Sequence, residues 1–340
     1  MNIKLFIEEK DRSDATLFYI ETVKEALKEF SNEEIKYITR VKDLKRSDVA
    51  FVITLASYFK IFLRNPFQRC IFWFQGITPE EIDYAFQSHF SFLKKNLFCF
   101  LERWILDHAC FILFVSHAML NHFCGKCNYT GNNYVIMPCF NKTLQKESFF
   151  YPEKYKKPTF VYAGAVSKWQ CLEETIDLFS RIKIRLPEAT LTLLVRDNEQ
   201  VKGWLQKYNV NAEIKYVDVR VLEQEIAKYK YGFLLRENLL LNRVATPTKM
   251  NSYIANGVIP IFSDVVDDFK TVFKNRNYII SGNVNELDVL CDKVIAMEKR
   301  TVVNTHVLSE YESVCDTYYN QELYIEKIRK SIRENNRLFS

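Results

Sequence analysis

Residues 232–261 open with Gly232-Phe-Leu-Leu-Arg-Glu-Asn238 and close with Thr246-Pro-Thr-Lys-Met-Asn-Ser-Tyr-Ile-Ala-Asn-Gly-Val-Ile-Pro-Ile261. The apolar run 233–235 ends at Arg236, a loop follows, and a second apolar run begins at Val258. Thr246 is a good N-cap, Pro247 suits the first helical position, and Gly257 suits a helix end. The spacing therefore predicts strand, loop, helix and strand in succession. A buried strand would deliver a fixed cation to the mouth of a helix. Free N–H groups, the helix dipole, Arg236 and Lys249 would converge there, which suits a phosphate. An ordinary strand–loop–helix with a solvated Arg and Lys fits the same letters.

The chain around this stretch has 340 residues, enough for two domains of ordinary size, and 48% of them are hydrophobic. The net charge of +5 is too mild to suggest a nucleic-acid binder. Eight glycines and eight prolines fit long regular elements joined by short loops. The N-terminal apolar run is too short for a signal peptide, and no apolar stretch reaches membrane-spanning length. The expected location is cytoplasmic. Nine cysteines are then reduced thiols, mostly buried. Cys124-Gly-Lys-Cys127, with His117, His122 and Cys139 near in sequence, reads either as part of a four-ligand zinc site or as a helix-terminal turn with two incidental thiols.

Elements alternate, which points to α/β architecture with parallel sheets. In the first half strands fit at 4–7, 35–38, 49–54, 70–74, 111–116 and 134–137, with helices at about 14–30, 79–108 and 117–124. The longest helix carries Ile82, Phe86, Phe90, Leu93, Leu97, Leu101 and Ile105 at mixed three- and four-residue spacing. Residues 141–158 are polar and read as an interdomain linker. A second series follows, with strands at 159–162, 190–195, 213–217, 231–235, 258–263 and 277–280. Its helices fit at 170–185, 198–208, 221–229, 248–256, 265–273 and 284–298, and a last helical stretch runs over about 308–336. The expected domains are 1–145, 158–307 and a C-terminal helical segment 308–340. Ligands of open α/β sheets sit beyond the carboxyl ends of strands, where 164–168, Arg236 and Gln75-Gly76 all fall.

The opening stretch carries a resemblance. Pro247-Thr-Lys249, Tyr253, Gly257 and Pro260 resemble the donor-binding segment of GT-B glycosyltransferases, specifically retaining family 4. Leu234-Leu-Arg-Glu-Asn238 with Asn242-Arg-Val-Ala245 resembles a subset that builds bacterial capsule, lipopolysaccharide or other surface glycans. Phe160-Val-Tyr-Ala-Gly-Ala-Val-Ser-Lys-Trp-Gln170 is similar to the first strand and glycine turn of the family's C-terminal domain. Trp73-Phe-Gln-Gly-Ile-Thr-Pro-Glu-Glu81 and Val115-Ser-His-Ala-Met119 match in the first half. The resemblance implies two doubly wound Rossmann-like domains facing a cleft, with the C-terminal helix returning to the first domain. It also implies retention by front-face attack, no dedicated nucleophile, and neither metal nor cofactor.

The chemistry agrees with that implication. Breaking the bond from an anomeric carbon to a diphosphate gathers negative charge on the leaving group, so fixed donors are needed around it. Arg236 and Lys249 are the expected catalytic cations. Gly164, Ser167, Lys168, Glu237, Thr248 and Ser252 are the expected donor-binding residues. Gly164 would let backbone approach the donor, and Lys168 falls near the position of a diphosphate-binding cation of the family. The family places a ribose-holding glutamate where this chain has Ser252, and a partner glutamate where it has Val244. Glu237 could supply one carboxylate from the adjacent loop.

On the acceptor side the expected residues are Gln75, Gly76, Glu80 and His117. Thr78 and Glu81 have capping-box spacing, which makes Glu81 structural and leaves Glu80 free for an acceptor hydroxyl. Tyr58-Phe-Lys-Ile-Phe-Leu-Arg-Asn-Pro-Phe-Gln-Arg69 holds three basic groups, four aromatics and no acid. Lys94, Lys95 and Arg103 add to it from residues 92–104. Such segments either lie in a bilayer interface or turn an aromatic stripe to the core. The expected function is a hexosyltransferase that moves a sugar from a nucleotide sugar to a growing, lipid-linked surface glycan, in peripheral contact with the inner face of the cell membrane. The rivals are an inactive binding or scaffold subunit and a nucleotide-sugar epimerase. A dinucleotide dehydrogenase is excluded, because no Gly-x-Gly-x-x-Gly turn occurs.

Overall fold

The computed structural model describes residues 1–12, 14–85, 89–196 and 198–335. The chain divides into two compact units.

The first unit comprises Met1–Asn141, Val244–Thr246 and the chain from Asn320 on. Its strands are β1 (Ile3–Phe6), β2 (Lys36–Ile38), β3 (Val49–Val52), β4 (Cys70–Phe74), β5 (Phe111–Phe114) and β6 (Tyr134–Ile136). They form one parallel sheet in the order β2-β1-β3-β4-β5-β6. Every residue of β3, β4 and β5 is buried, as continuous apolar runs require in a sheet covered on both faces. The expected long helix is represented by helices at Thr78–Ala85 and His89–His108. Phe86 lies outside the described residues, as does the Phe90 side chain. A helix at Leu55–Arg64, capped by Thr54, was not expected as a helix and buries Leu55, Tyr58 and Ile61. The C-terminal helix Gln321–Glu334 packs on the helix Asp14–Leu27. Arg333 there makes a bidentate pair with Glu29 at 2.8 and 2.7 Å.

The second unit comprises Lys142–Arg243 and Pro247–Tyr319. Its strands are β7 (Thr159–Ala163), β8 (Thr190–Leu194), β9 (Ala212–Lys215), β10 (Tyr231–Leu234), β11 (Ile259–Ser263) and β12 (Ile280–Gly282). The sheet is parallel, in the order β12-β11-β10-β7-β8-β9. Strand order therefore reverses between β7 and β10, and the crevice outside their carboxyl ends is where such sheets bind ligands. Residues 142–158, read from sequence as a linker, pack into this unit. Phe149 sits edge-on to Tyr311 at 5.9 Å, and the Gln145 amide donates to Ala255 O at 2.8 Å. The expected terminal helix 308–336 is two helices, Asn304–Thr317 in this unit and Gln321–Glu334 in the first.

Candidate functional site

The site of the second unit begins at the β7/β10 reversal. Arg236 follows β10, and its backbone N–H donates to Ser263 Oγ after β11 at 2.7 Å. Only 8% of Arg236 is exposed, and its Nε has no hydrogen-bond partner. The helix Thr248–Ala255 lies over the same strand ends because Tyr253 seats it. The Tyr253 hydroxyl donates to Phe233 O at 3.0 Å, and its ring lies so close to Gly232 that a Cβ there would meet it at 2.6 Å. This seating carries Lys249, one turn earlier, to the end of β7. Its Nζ stands 4.3 Å above the Tyr162 ring and 3.5 Å from Gln170 Oε1. Gly164, just after β7, leaves room for it: a Cβ would meet Lys249 Nζ at 2.5 Å and Gln170 Oε1 at 2.9 Å.

Neither cation has a carboxylate partner among the described residues. Burial pushes the Lys249 ammonium well below its ordinary value, and Arg236 adds to the shift. Burial also lowers Arg236. Arg236 is buried and Lys249 half-buried, and two such like charges without a counter-ion are costly unless something anionic completes them.

The other donor-side expectations fall around this pair. Ser167 and Lys168 lie on the turn into a short 3-10 helix, Lys168–Gln170, and Lys168 is exposed with no carboxylate partner among the described residues. The Glu237 amide donates to Trp169 O at 3.4 Å, and Asn242 Nδ2 donates to Glu237 O at 2.8 Å, so the turn and the loop after Arg236 are tied together. The helix starts at Thr248, as the range 248–256 has it, but Thr246 is not its cap. Pro247 takes the cap position, Thr248 is the first helical residue, and the Thr246 hydroxyl accepts from the Cys139 amide at 3.0 Å within the first unit. Asn256 closes the helix and Gly257 follows at φ +68°, as expected of a C-terminal glycine.

Ser252 brings in a residue that sequence reasoning missed. Its hydroxyl donates to Glu223 Oε1 at 3.1 Å, and Asn256 Nδ2 donates to Glu223 Oε2 at 2.5 Å. Lys142 Nζ stands 3.4 Å from the same carboxylate. Glu223 lies on the helix Leu222–Ile226, 29 residues away in sequence, so no local spacing could have flagged it.

In the first unit, Gln75 and Gly76 line a cavity of 240 Å³ beyond the carboxyl ends of β3 and β4, together with Thr54, Trp73 and Glu81. Trp73 Nε1 and Gln75 Nε2 face no partner although buried. Thr78 is the first helical residue instead of the cap, Glu81 still reaches back to the backbone ahead of the helix as expected, and the expectation for Glu80 fails. Glu81 accepts from the Ile77 amide, leans over Gly76 within 2.2 Å of where a Cβ would be, and lines the cavity. Glu80 is not free: it pairs with Lys126 at 2.7 Å and lies 3.5 Å from His122. Lys126 also pairs at 2.8 Å with Glu102, which has no exposed surface. Burial pushes Glu102 up to about 7 despite Lys126. Burial would raise Glu80 too, but His122 and Lys126 hold it down at about 2. His117 is exposed as the first residue of the helix His117–Cys127, capped by Ser116. No group of three or more potential metal ligands is assembled among the described residues, so the Cys124–Cys127 pair has no zinc-like company there.

The sequence matches no known protein-family model and no curated protein. Solved structures do match. S. aureus TarM, in complex with fondaparinux, alpha-GlcNAc-glycerol and UDP, aligns with TM-score 0.65 at 11% identity, over 86% of this chain and 57% of that one. Sucrose-phosphate synthase from Thermosynechococcus elongatus aligns with TM-score 0.64 at 12% identity, over 84% of this chain and 73% of that one. The pneumococcal O-GlcNAc transferase GtfA, with UDP and GlcNAc, aligns with TM-score 0.59 at 11% identity, over 86% of this chain and 58% of that one. The fold is GT-B. This chain spans little more than half the length of the TarM chains, 56 and 57%. At these identities the likeness speaks for the GT-B fold alone, and the residues above carry the chemistry.

Proposed function

We propose that the protein is a retaining, metal-independent hexosyltransferase. It moves a sugar from a nucleotide-sugar donor to a growing, lipid-linked bacterial surface glycan of the capsule or lipopolysaccharide type, on the cytoplasmic side of the membrane. The observation that carries this reading is the pair Arg236, buried, and Lys249, half-buried, without a carboxylate partner among the described residues, at the strand-order reversal of the second unit. A diphosphate is the anion that two adjacent fixed cations and a helix N-terminus suit.

In this reading the bond between the anomeric carbon and the diphosphate oxygen breaks, and its electron pair stays on the diphosphate. Arg236 and Lys249 stabilise that charge, which removes the need for a metal. The acceptor hydroxyl forms the new bond on the same face, and its proton passes to the leaving phosphate oxygen. Gly164, Ser167 and Lys168 shape the phosphate end. Glu223, held by Ser252 and Asn256, supplies the ribose-facing carboxylate that the family pattern would carry at 252. Glu237 and Thr248 border the donor. Gln75, Gly76 and Glu81 receive the acceptor, and His117 stands at another strand end of that unit.

Thermal shift against a panel of nucleoside diphosphates and nucleotide sugars tests the reading. A ligand at about 100 times its Kd stabilises by roughly 2.7 kcal/mol. A shift with one nucleotide that Arg236→Ala abolishes is expected. No shift with any nucleotide would move the protein to the scaffold reading. A changed sugar released without acceptor would identify an epimerase.

A further inference from the structure

A second cavity of the first unit lies at the opposite end of its sheet from the acceptor cavity. It measures 290 Å³ and is lined by Lys42, Lys45, Arg46 and Arg64, with Asn65 and Gln68 among the remaining walls and no acid. Lys42, Lys45, Arg46 and Arg64 are exposed, and none of the four has a carboxylate partner among the described residues. Four unpaired cations around one hollow constitute an anion-binding surface.

An apolar ridge adjoins it. Leu63 and Phe67, on either side of Arg64 and Asn65, are 69 and 71% exposed. Phe100, Phe92 and Leu93 on the helix His89–His108 are also exposed. The ridge is rigidly mounted. Phe62 meets Phe100 and Trp104 edge-on at 5.9 and 5.5 Å, Phe67 lies 5.7 Å from the Trp104 ring, and Trp104 Nε1 donates to Pro66 O at 3.2 Å. Lys94 and Arg103, both exposed, stand on the same helix as Phe100. Tyr58, Ile61, Phe98 and Leu101 face the core, while Leu63, Phe67 and Phe100 face out.

We propose that this cavity and ridge form a docking surface for an anionic lipid bilayer. The cations take lipid phosphates, and Leu63, Phe67 and Phe100 enter the headgroup–acyl boundary. Charge complementarity selects the bilayer over an apolar protein partner, and exposed aromatics beside the cations select it over a soluble anion. No helix among the described residues is long and apolar enough to cross a membrane, so attachment here is peripheral. The helix Leu55–Arg64 starts at the acceptor cavity and ends at the basic one, about 15 Å away. The inference adds to the proposed transfer reaction the surface on which it takes place, and vesicle binding can fail while nucleotide binding stands.

Flotation with vesicles of phosphatidylcholine, alone or mixed with phosphatidylglycerol, is the test. The full chain is expected to float with the anionic vesicles only, and less so at high salt. Lys42→Ala/Lys45→Ala/Arg46→Ala should weaken binding on the order of 100-fold. Leu63→Ser/Phe67→Ser should weaken it about 10-fold or more at unchanged charge. Melting temperature and nucleotide shift should stay as in the parent, because all five side chains are exposed. Failure to bind anionic vesicles overturns the proposal. Binding that Leu63→Ser/Phe67→Ser leaves intact overturns it too, as does retention on a DNA oligonucleotide in place of vesicles.

Discussion

Gly164 and Lys249 occupy complementary volumes: a Cβ on the glycine would stand 2.5 Å from the lysine Nζ. The strand end is bare so that an ammonium 85 residues later can fill it. Gly164→Ala must therefore displace Lys249 from its seat above Tyr162. Nucleotide affinity should fall roughly 10- to 100-fold, the worth of one charge-assisted hydrogen bond. Isothermal calorimetry measures this, and an unchanged Kd would show that Lys249 does not need that seat.

Arg236 is buried beside another cation and has an unpartnered Nε. Arg236→Met keeps the volume and removes the charge. The ligand-free variant should melt at or above the parent temperature, while nucleotide affinity drops on the order of 100-fold or more. A variant that loses both stability and binding would mean that Arg236 is a structural residue.

Lys249 is pushed below its ordinary pKa by burial and by Arg236. A bound diphosphate would reverse the second cause and supply a counter-charge. Binding should then be accompanied by proton uptake above the depressed pKa. Calorimetry in two buffers of different ionisation enthalpy reports that number, which Lys249→Met should bring to zero. Without ligand, the unfolded chain holds this proton over the window between the depressed value and the ordinary lysine range, so Lys249 makes stability rise with pH there.

Glu80 and Glu102 share Lys126. Glu102, raised to about 7, binds its proton more tightly folded than unfolded. Between pH 4.5 and 7 its contribution therefore falls as pH rises, by about 3 kcal/mol in all. Glu80, lowered to about 2, contributes stability above its ordinary value and loses it as pH falls. Glu102→Gln should remove the decline toward neutrality in a plot of Tm against pH. Lys126→Met leaves both carboxylates uncompensated and should cost about 3–5 kcal/mol by urea unfolding.

Restoring a glutamate at position 252 should not help this protein. Ser252→Glu would set a second carboxylate against Glu223, which Ser252 now holds at 3.1 Å. Nucleotide affinity should drop in Ser252→Glu, and Glu223→Ser added to it should recover most of the loss. A single Ser252→Glu variant that binds better than the parent would remove Glu223 from the donor site.

Strand content was legible because parallel-sheet strands are continuous apolar runs, such as Val49-Ala-Phe-Val52 and Phe111-Ile-Leu-Phe114, that need no partner to be recognised. Arg236 and Lys249 were legible because a strand end and a helix start bracket them. Glu223 was not, since its contact with Ser252 exists only once two helices pack. The pairing of Glu80 was not legible either, since Lys126 and His122 stand on another helix, His117–Cys127, that only packing brings near. The Leu55–Arg64 helix was hidden by its own aromatics, which face both inward and outward.

The bare cation pair has a practical side. If the pair takes the donor diphosphate as proposed, phosphate and sulfate would compete for the same seat. Affinities measured in such buffers would then report a displacement, and a zwitterionic buffer low in chloride is the medium that leaves the nucleotide the fewest competitors.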